Sequence, residues 1–177
     1  MLFDFERDFA GSLRCIPMIA RQKLDIVGIK LSLRQWSRFT RDERGQLADL
    51  PCETAPEQAT YHELVAHLIA TRSDEPLRPL ASRGLETWRD ADRMPDTVKT
   101  QAEADGVAPP TAAQWATLQP LQRFALVKLA RSKHENENFV PAMLEFGLLQ
   151  PHAGLLHDAG ASPNPTAVSR GHTRMPN

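Results

Sequence analysis

Apolar side chains recur every three or four positions through most of the first 150 residues, a spacing typical of helices that bury one face. The clearest stretch predicts a helix from about Pro17 to Val27, because a proline suits the first helical turn and the following Gly28 suits a left-handed C-cap. Further helices are predicted in the opening stripe Phe5, Phe9 and Leu13, around Trp36, before Leu50, along Tyr61 to Ile69, after Pro120, and from Phe139 to Phe146.

Several of these helices begin at a capping box. In this motif a Ser or Thr side chain accepts a hydrogen bond from the third helical N–H, and a Glu or Gln at that position reaches back to the cap. The boxes are Ser32 with Gln35, Thr40 with Glu43, Thr54 with Glu57, and Thr111 with Gln114. Asn138 is predicted to cap the last helix, and Gly147 to end it.

Two segments, at about residues 17–50 and 95–129, resemble each other. Their correspondences include Pro17 with Pro95, Arg21 with Lys99, Gly28 with Gly106, and Trp36 with Trp115. The predicted fold class is therefore all-α, with a single helical domain over residues 1–150 built from two degenerate helix-turn-helix repeats.

The two segments differ in their apolar content. The second contains a helix with only Gln122, Arg123 and Lys128 for a solvent-facing side, so we expect it at the centre of the core and the first segment at the surface. Residues 73–94, which contain prolines and a glycine among charges, predict an irregular connection. Residues 151–177 have four prolines and few large apolar side chains, which predicts a disordered tail.

Composition narrows the class of protein. The 177 residues are 41% hydrophobic and 24% charged, with a formal net charge of −1. Such a balance does not attract nucleic acid or anionic lipid. We expect a cytoplasmic protein without a membrane segment, because the N-terminus is acidic and no long apolar run occurs. The two cysteines, Cys15 and Cys52, are then expected as free thiols, and small buried side chains are favoured over a redox pair.

The densest cluster of polar functional groups is His134, Glu135, Asn136, Glu137 and Asn138. A histidine with two carboxylates can hold a metal or move protons, but asparagines alternate with the acids and no second histidine follows four positions later. A turn that caps helix ends through its side chains is the favoured interpretation. His62 and His67 are five residues apart, which does not suit a metal pair on a helix, so a solvated face is favoured there.

Four arginines, Arg34, Arg38, Arg41 and Arg44, surround Trp36 in the first segment. Two short helices joined by a tight turn are typical of helix-turn-helix DNA-binding proteins. The net charge and the acidic neighbours argue against nucleic acid as the partner. The sequence contains no P-loop, dinucleotide-binding glycine motif, nucleophile elbow or zinc-ligand quartet, so no catalytic residue, metal or cofactor is predicted.

Over about residues 3–149 the chain resembles the conserved nitrate reductase-associated proteins. The resemblance rests on the segments SLRCIPM (12–18), GIKLSL (28–33), QWSRF (35–39), LPC (50–52), QW (114–115), LQRFA (121–125), HEN (134–136) and NF (138–139), with Pro141, Glu145 and Phe146. It implies a setting in nitrate assimilation, with genes near those for assimilatory nitrate reductase and molybdopterin synthesis. It implies no active site.

The resemblance favours a non-catalytic accessory protein that binds nitrate reductase, or a factor that inserts the molybdenum cofactor, and assists maturation. The expected contact residues are Arg34, Trp36, Arg38, Arg41 and Arg44 in the first segment, with His134, Glu135, Asn136 and Asn138 in the polar turn. Two alternatives stay open. One is a helix-turn-helix regulator of nitrate-assimilation genes, and the other is a small metal or cofactor carrier, or a small enzyme, that uses the turn.

Overall fold

A computed structural model describes residues 2–81, 87–132 and 136–149. The described chain is mostly helical, as predicted. The helices are α1 (Arg7–Ala10), α2 (Met18–Ile26), α3 (Leu33–Arg38), α4 (Arg41–Asp49), α5 (Ala55–Arg72), α6 (Asp96–Ala104), α7 (Ala112–Thr117), α8 (Pro120–Arg131) and α9 (Phe139–Glu145). Short 3-10 turns span Asp4–Glu6 and Asn136–Asn138. Two short strands, β1 (Ile29–Lys30) and β2 (Arg78–Pro79), pair antiparallel, with Ile29 opposite Pro79.

The four predicted capping boxes are confirmed, and they begin α3, α4, α5 and α7. In α3, the backbone N–H of Gln35 donates to Ser32 Oγ at 3.0 Å, and the N–H of Ser32 donates to Gln35 Oε1 at 3.0 Å. Pro120 lies in the first turn of α8, and Gly28 and Gly147 have a φ of +71° at the ends of α2 and α9. Asn138 occupies the N-cap position of α9, but its side chain makes no capping hydrogen bond, which corrects that prediction.

The N-terminal segment does not form the continuous helix that its apolar stripe predicts. It forms a 3-10 turn and the single-turn helix α1, and Leu13 has a φ of +57°. Two carboxylates hold this segment. Glu6 accepts the backbone N–H groups of Phe3 and Met18, and Glu145 accepts those of Asp4 and Phe5. Burial of Glu6, which is 1% exposed, raises the pKa of its carboxyl group.

The connection between α5 and α6 is irregular, as predicted, apart from the strand β2, which the sequence did not reveal. Pairing with β1 satisfies backbone groups of β2 that local sequence leaves open, and the N–H of Leu80 donates to the carbonyl of Gly28 at 2.8 Å. Residues 82–86 of this connection, and the tail from residue 150 onward, lie outside the described residues, so the disordered tail and the domain boundary at residue 150 stay predictions.

Buried apolar side chains form two clusters. The first contains Trp115 with residues of α6, α8 and α9, and the second contains Trp36 with residues of α2, α4 and α5. Helix α8 is central, as predicted, and contacts α2, α6 and α9. The first segment is nevertheless not merely peripheral, because Trp36 is as fully buried as Trp115, with 0% exposure for each.

Arg123 was expected on the solvent-facing side of α8 but is 6% exposed. Its Nε donates to the carbonyl of Trp88 at 2.9 Å, and its Nη1 donates to that of Leu118. Backbone carbonyls that satisfy a guanidinium make its burial affordable in free energy.

The two similar segments share several interactions besides their helix boundaries. Each tryptophan donates its indole N–H to a carbonyl that precedes the segment's first helix, Trp36 to Leu13 at 2.8 Å and Trp115 to Asp90 at 2.9 Å. Arg44 and Arg123 each donate to the carbonyl that ends the preceding short helix, that of Phe39 and that of Leu118. These parallels are consistent with a duplication, which stays a prediction.

Candidate functional site

An exposed group of arginines lies where α3 meets α4. Arg34 and Arg38 are on α3, Arg41 begins α4, and all three side chains reach solvent. Leu33, at the first position of α3, is 55% exposed. We call these four residues the arginine face. Arg34 Nε lies 3.6 Å from Glu75 Oε1, a surface ion pair that contributes little to folding. The arginine face is thus a cationic surface with one large apolar side chain.

The other two predicted contact residues of the first segment are structural. Trp36 has no exposed surface, which removes it from any contact surface. Arg44 is half-buried, and it donates from Nε to the carbonyl of Phe39 at 2.9 Å and from Nη1 to that of Leu13 at 2.8 Å. The short spacing of arginines around a tryptophan did not reveal which of them the backbone uses internally.

The polar turn is only partly described. His134 and Glu135 lie outside the described residues, and the backbone of Asn136 belongs to the 3-10 turn that leads into α9. Asn138 is half-buried and Glu137 is exposed. The geometry therefore brings no second group of the predicted set to the arginine face, and the role of the turn in partner binding stays a prediction.

The histidines and thiols considered for chemistry are placed as the sequence favoured. His62 and His67 are exposed on α5. Cys15 and Cys52 are free cysteines, the first half-buried and the second buried. Burial raises the pKa of the Cys52 thiol, so this thiol is held in its protonated, unreactive form.

Cys52 lies in a buried polar region at the end of α4. Lys23 Nζ donates to the carbonyl of Ala48 at 2.6 Å, and the Tyr61 hydroxyl donates to that of Leu47 at 3.0 Å. The last carbonyls of a helix lack partners within the helix, and a cation there also opposes the negative end of the helix dipole. Burial lowers the pKa of Lys23 and raises that of Tyr61. This region fastens α4 to α2 and α5.

A cleft that the sequence did not reveal lies beside α2, β1 and α8, with a volume of about 330 Å³. We call it the basic cleft. Its polar lining consists of Cys15, Arg21, Asp25, Lys30 and Lys128. Its walls are the apolar side chains Ile16, Leu24, Ile29, Leu31, Leu33 and Leu80. Leu33 therefore belongs both to this cleft and to the arginine face.

One ion pair crosses the basic cleft. Lys128 Nζ on α8 lies 2.8 Å from Asp25 Oδ2 on α2, and the Asp25 side chain is 10% exposed. Burial raises the pKa of Asp25, while the hydrogen bond and the charge of Lys128 act in the opposite direction. Arg21 Nε donates to the carbonyl of Ile16 at 2.9 Å. Only the four-residue spacing of Arg21 and Asp25 is visible in the sequence, because Lys128 approaches through the tertiary fold.

A second cavity of about 380 Å³ adjoins the buried Arg123 and is also lined by Gln22, Cys52, Trp88 and Arg89. The guanidinium carbon of Arg89 lies 5.0 Å from the centre of the Trp88 ring, a cation–π arrangement. Because Arg123 holds backbone carbonyls here, this cavity is built from side chains with structural partners.

Among the described residues, no three His, Cys, Asp or Glu side chains are grouped to hold a metal ion. Within the same residues, no helix has both the length and the apolar character required to cross a membrane.

Comparison with known proteins gives a family for the chain. No curated protein and no solved structure matches it significantly. The family described as conserved nitrate reductase-associated protein matches residues 2–146, which include all the described elements and both the arginine face and the basic cleft. The chain therefore belongs to the conserved nitrate reductase-associated protein family.

Proposed function

We propose that this protein is a non-catalytic accessory factor of nitrate assimilation. In this proposal it binds nitrate reductase, or a factor that inserts the molybdenum cofactor, and assists maturation of the reductase. Membership of the family supports an association with nitrate reductase. The binding mode and the maturation step are our inference.

The arginine face carries this proposal. Arg34, Arg38 and Arg41 present three exposed guanidinium groups on adjacent turns, beside the exposed apolar side chain of Leu33. Arginine is enriched at protein interfaces because its planar group forms paired hydrogen bonds with carboxylates and also stacks on apolar surface. The surface is therefore suited to an acidic patch with an apolar centre on a partner protein.

A quantitative binding assay with purified nitrate reductase from the same organism tests the proposal. The variant Arg34→Gln/Arg38→Gln/Arg41→Gln removes three positive charges from the arginine face. The matched control, Arg7→Gln/Arg93→Gln/Lys99→Gln, removes three exposed positive charges elsewhere. We expect the first variant to bind about tenfold more weakly or worse, chiefly through slower association, and the control to bind like the wild type.

Two outcomes contradict the proposal. Equal binding by both variants would exclude the arginine face as the contact surface. Co-purification from nitrate-grown cells that recovers neither the reductase nor a cofactor-insertion factor, with unchanged reductase activity in a deletion strain, would exclude the accessory role.

The DNA-binding alternative receives no support from α4, which would be its recognition helix. Glu43 on this helix pairs with Arg72 at 2.7 Å, Arg44 is engaged with backbone carbonyls, and Asp42 and Asp49 are exposed. A gel-shift with the promoter of the nitrate genes that shows salt-sensitive, specific binding would nevertheless favour the regulator over the accessory protein.

A further inference from the structure

The basic cleft combines apolar walls with an excess of positive charge. Three of its lining residues are basic, Arg21, Lys30 and Lys128, and one is acidic, Asp25, which leaves a formal charge of 3 − 1 = +2. Ligand pockets for small molecules commonly combine apolar walls with a few polar groups that orient the ligand. The cleft has both of these features.

The arrangement of the charges matters as much as their sum. Asp25 already accepts the ammonium group of Lys128 at 2.8 Å, so these two charges compensate each other. Lys30 is exposed on β1, at the side of the cleft where Leu31 and Leu33 provide apolar surface. An anion that enters here meets the positive charges of Lys30 and Arg21 while its apolar part covers leucine side chains.

We propose that the basic cleft binds a small organic anion, with a carboxylate or phosphate-ester head group and a short apolar body. The head group lies near Lys30 and Arg21, and the body lies against Leu31 and Leu33. The positive charge excludes a neutral apolar molecule as the preferred ligand, because that molecule leaves the excess charge uncompensated. The apolar walls exclude a bare inorganic anion, because that ion covers none of them. This inference does not depend on the proposed role in nitrate assimilation.

Titration of the full chain by amide chemical-shift mapping tests the proposal. The probes are hexanoate and hexyl phosphate, which carry the two head groups on the same body, with hexanol and acetate as probes that each lack one feature. We expect saturable shifts for residues around the cleft with hexanoate or hexyl phosphate, and at least about tenfold weaker binding of hexanol and acetate. The stronger of the two anionic probes identifies the head group.

Variants locate the binding within the cleft. Lys30→Gln removes an exposed charge on β1 and is expected to weaken binding of the anionic probe about threefold or more, whereas Lys99→Gln on α6 is expected to leave it unchanged. Alkylation of Cys15, which lines the cleft, should also be slowed by the bound probe.

Three results would overturn the inference. They are the absence of saturable shifts with both anionic probes, binding of hexanol equal to that of hexanoate, and equal affinity of the Lys30→Gln and Lys99→Gln variants. The first result would show that the cleft binds no such ligand, and the other two would show that its charge does not select one.

Discussion

The indole N–H of Trp36 donates to the carbonyl oxygen of Leu13 across 2.8 Å, and Leu13 has a φ of +57°. Arg44 Nη1 donates to the same oxygen at 2.8 Å. A left-handed backbone costs a leucine roughly 1–2 kcal/mol. Two side-chain donors on one carbonyl oxygen oppose that cost, and they hold the turn between α1 and α2 against the core cluster of the first segment.

This shared acceptor predicts a non-additive pair of substitutions. In Trp36→Phe or Arg44→Met one donor is left, whereas in the double variant the oxygen has lost both. The double variant should therefore be less stable than the sum of the single effects predicts, by about 0.5–3 kcal/mol. Denaturant unfolding of the four proteins measures this difference.

The control combines Trp36→Phe with Trp115→Phe. These tryptophans belong to core clusters that have no buried member in common, so their effects should add within about 0.5 kcal/mol. Additivity of Trp36→Phe with Arg44→Met would show that the Leu13 carbonyl does not couple the two side chains.

Glycine substitutions should have opposite signs at two positions. Gly28 has a φ of +71° and nothing within 4 Å of an added Cβ, so Gly28→Ala should cost roughly 1–2 kcal/mol through backbone strain alone. Gly45 lies inside α4, where an added Cβ meets only Leu13 Cδ1 at 4.0 Å, so Gly45→Ala should stabilise by roughly 0.5–1 kcal/mol. Thermal or denaturant unfolding measures both, and effects of the same sign would contradict the helix end at Gly28 or the helix at Gly45.

The buried carboxyl group of Glu6 predicts a pH dependence of folding. Burial raises its folded-state pKa above the ordinary value of 4.5, so the folded chain holds the proton more tightly than the unfolded chain. The resulting stabilisation is complete below pH 4.5 and is lost as the pH rises through the raised pKa. The free energy of unfolding of the wild type minus that of Glu6→Gln should therefore increase as the pH is lowered from neutral.

Glu43 supplies the opposite case and hence the control. The backbone N–H of Thr40 and the side chain of Arg72 lower the pKa of Glu43, so its stabilisation is present above pH 4.5 and is lost as the pH falls through the lowered pKa. The corresponding difference for Glu43→Gln should decrease on acidification. Parallel pH profiles for the two variants would contradict the assigned surroundings of Glu6.

The ion pair between Asp25 and Lys128 joins the two similar segments and should be energetically coupled. We expect a coupling free energy of about 0.5–3 kcal/mol from the cycle Asp25→Asn, Lys128→Gln and the double variant, because the Asp25 side chain is only 10% exposed. The exposed pair Lys99 and Glu103, 3.9 Å apart with both side chains 57% exposed, is the control and should give about 0.5 kcal/mol or less. A coupling no larger than that of the control would show that the pair is not held.

Local signals predicted most helix boundaries, because their causes lie within four residues along the chain. Ser32 and Gln35 satisfy each other's backbone groups whatever the rest of the fold does, and Gly28 follows its helix for the same local reason. The first helix was misjudged because Glu145, distant in sequence, accepts the N–H groups of Asp4 and Phe5. Strand β2 was missed because a two-residue strand exists only through its partner.

The candidate sites divide in the same way. The exposed arginines Arg34, Arg38 and Arg41 could be named from the sequence, but the burial of Trp36 and the internal role of Arg44 could not. Charge and periodicity describe one helix at a time, whereas a carbonyl acceptor on another segment decides whether an arginine or tryptophan points inward.

By itself, the sequence determined the helical class, the capped helix starts and the central place of α8, since hydrophobic spacing and capping act over short distances. Tertiary structure alone decided that Arg123 is buried on the Trp88 carbonyl and that Lys128 meets Asp25 across the basic cleft. These contacts join groups far apart along the chain. Their free energy depends on the loss of water that only the packed helices impose.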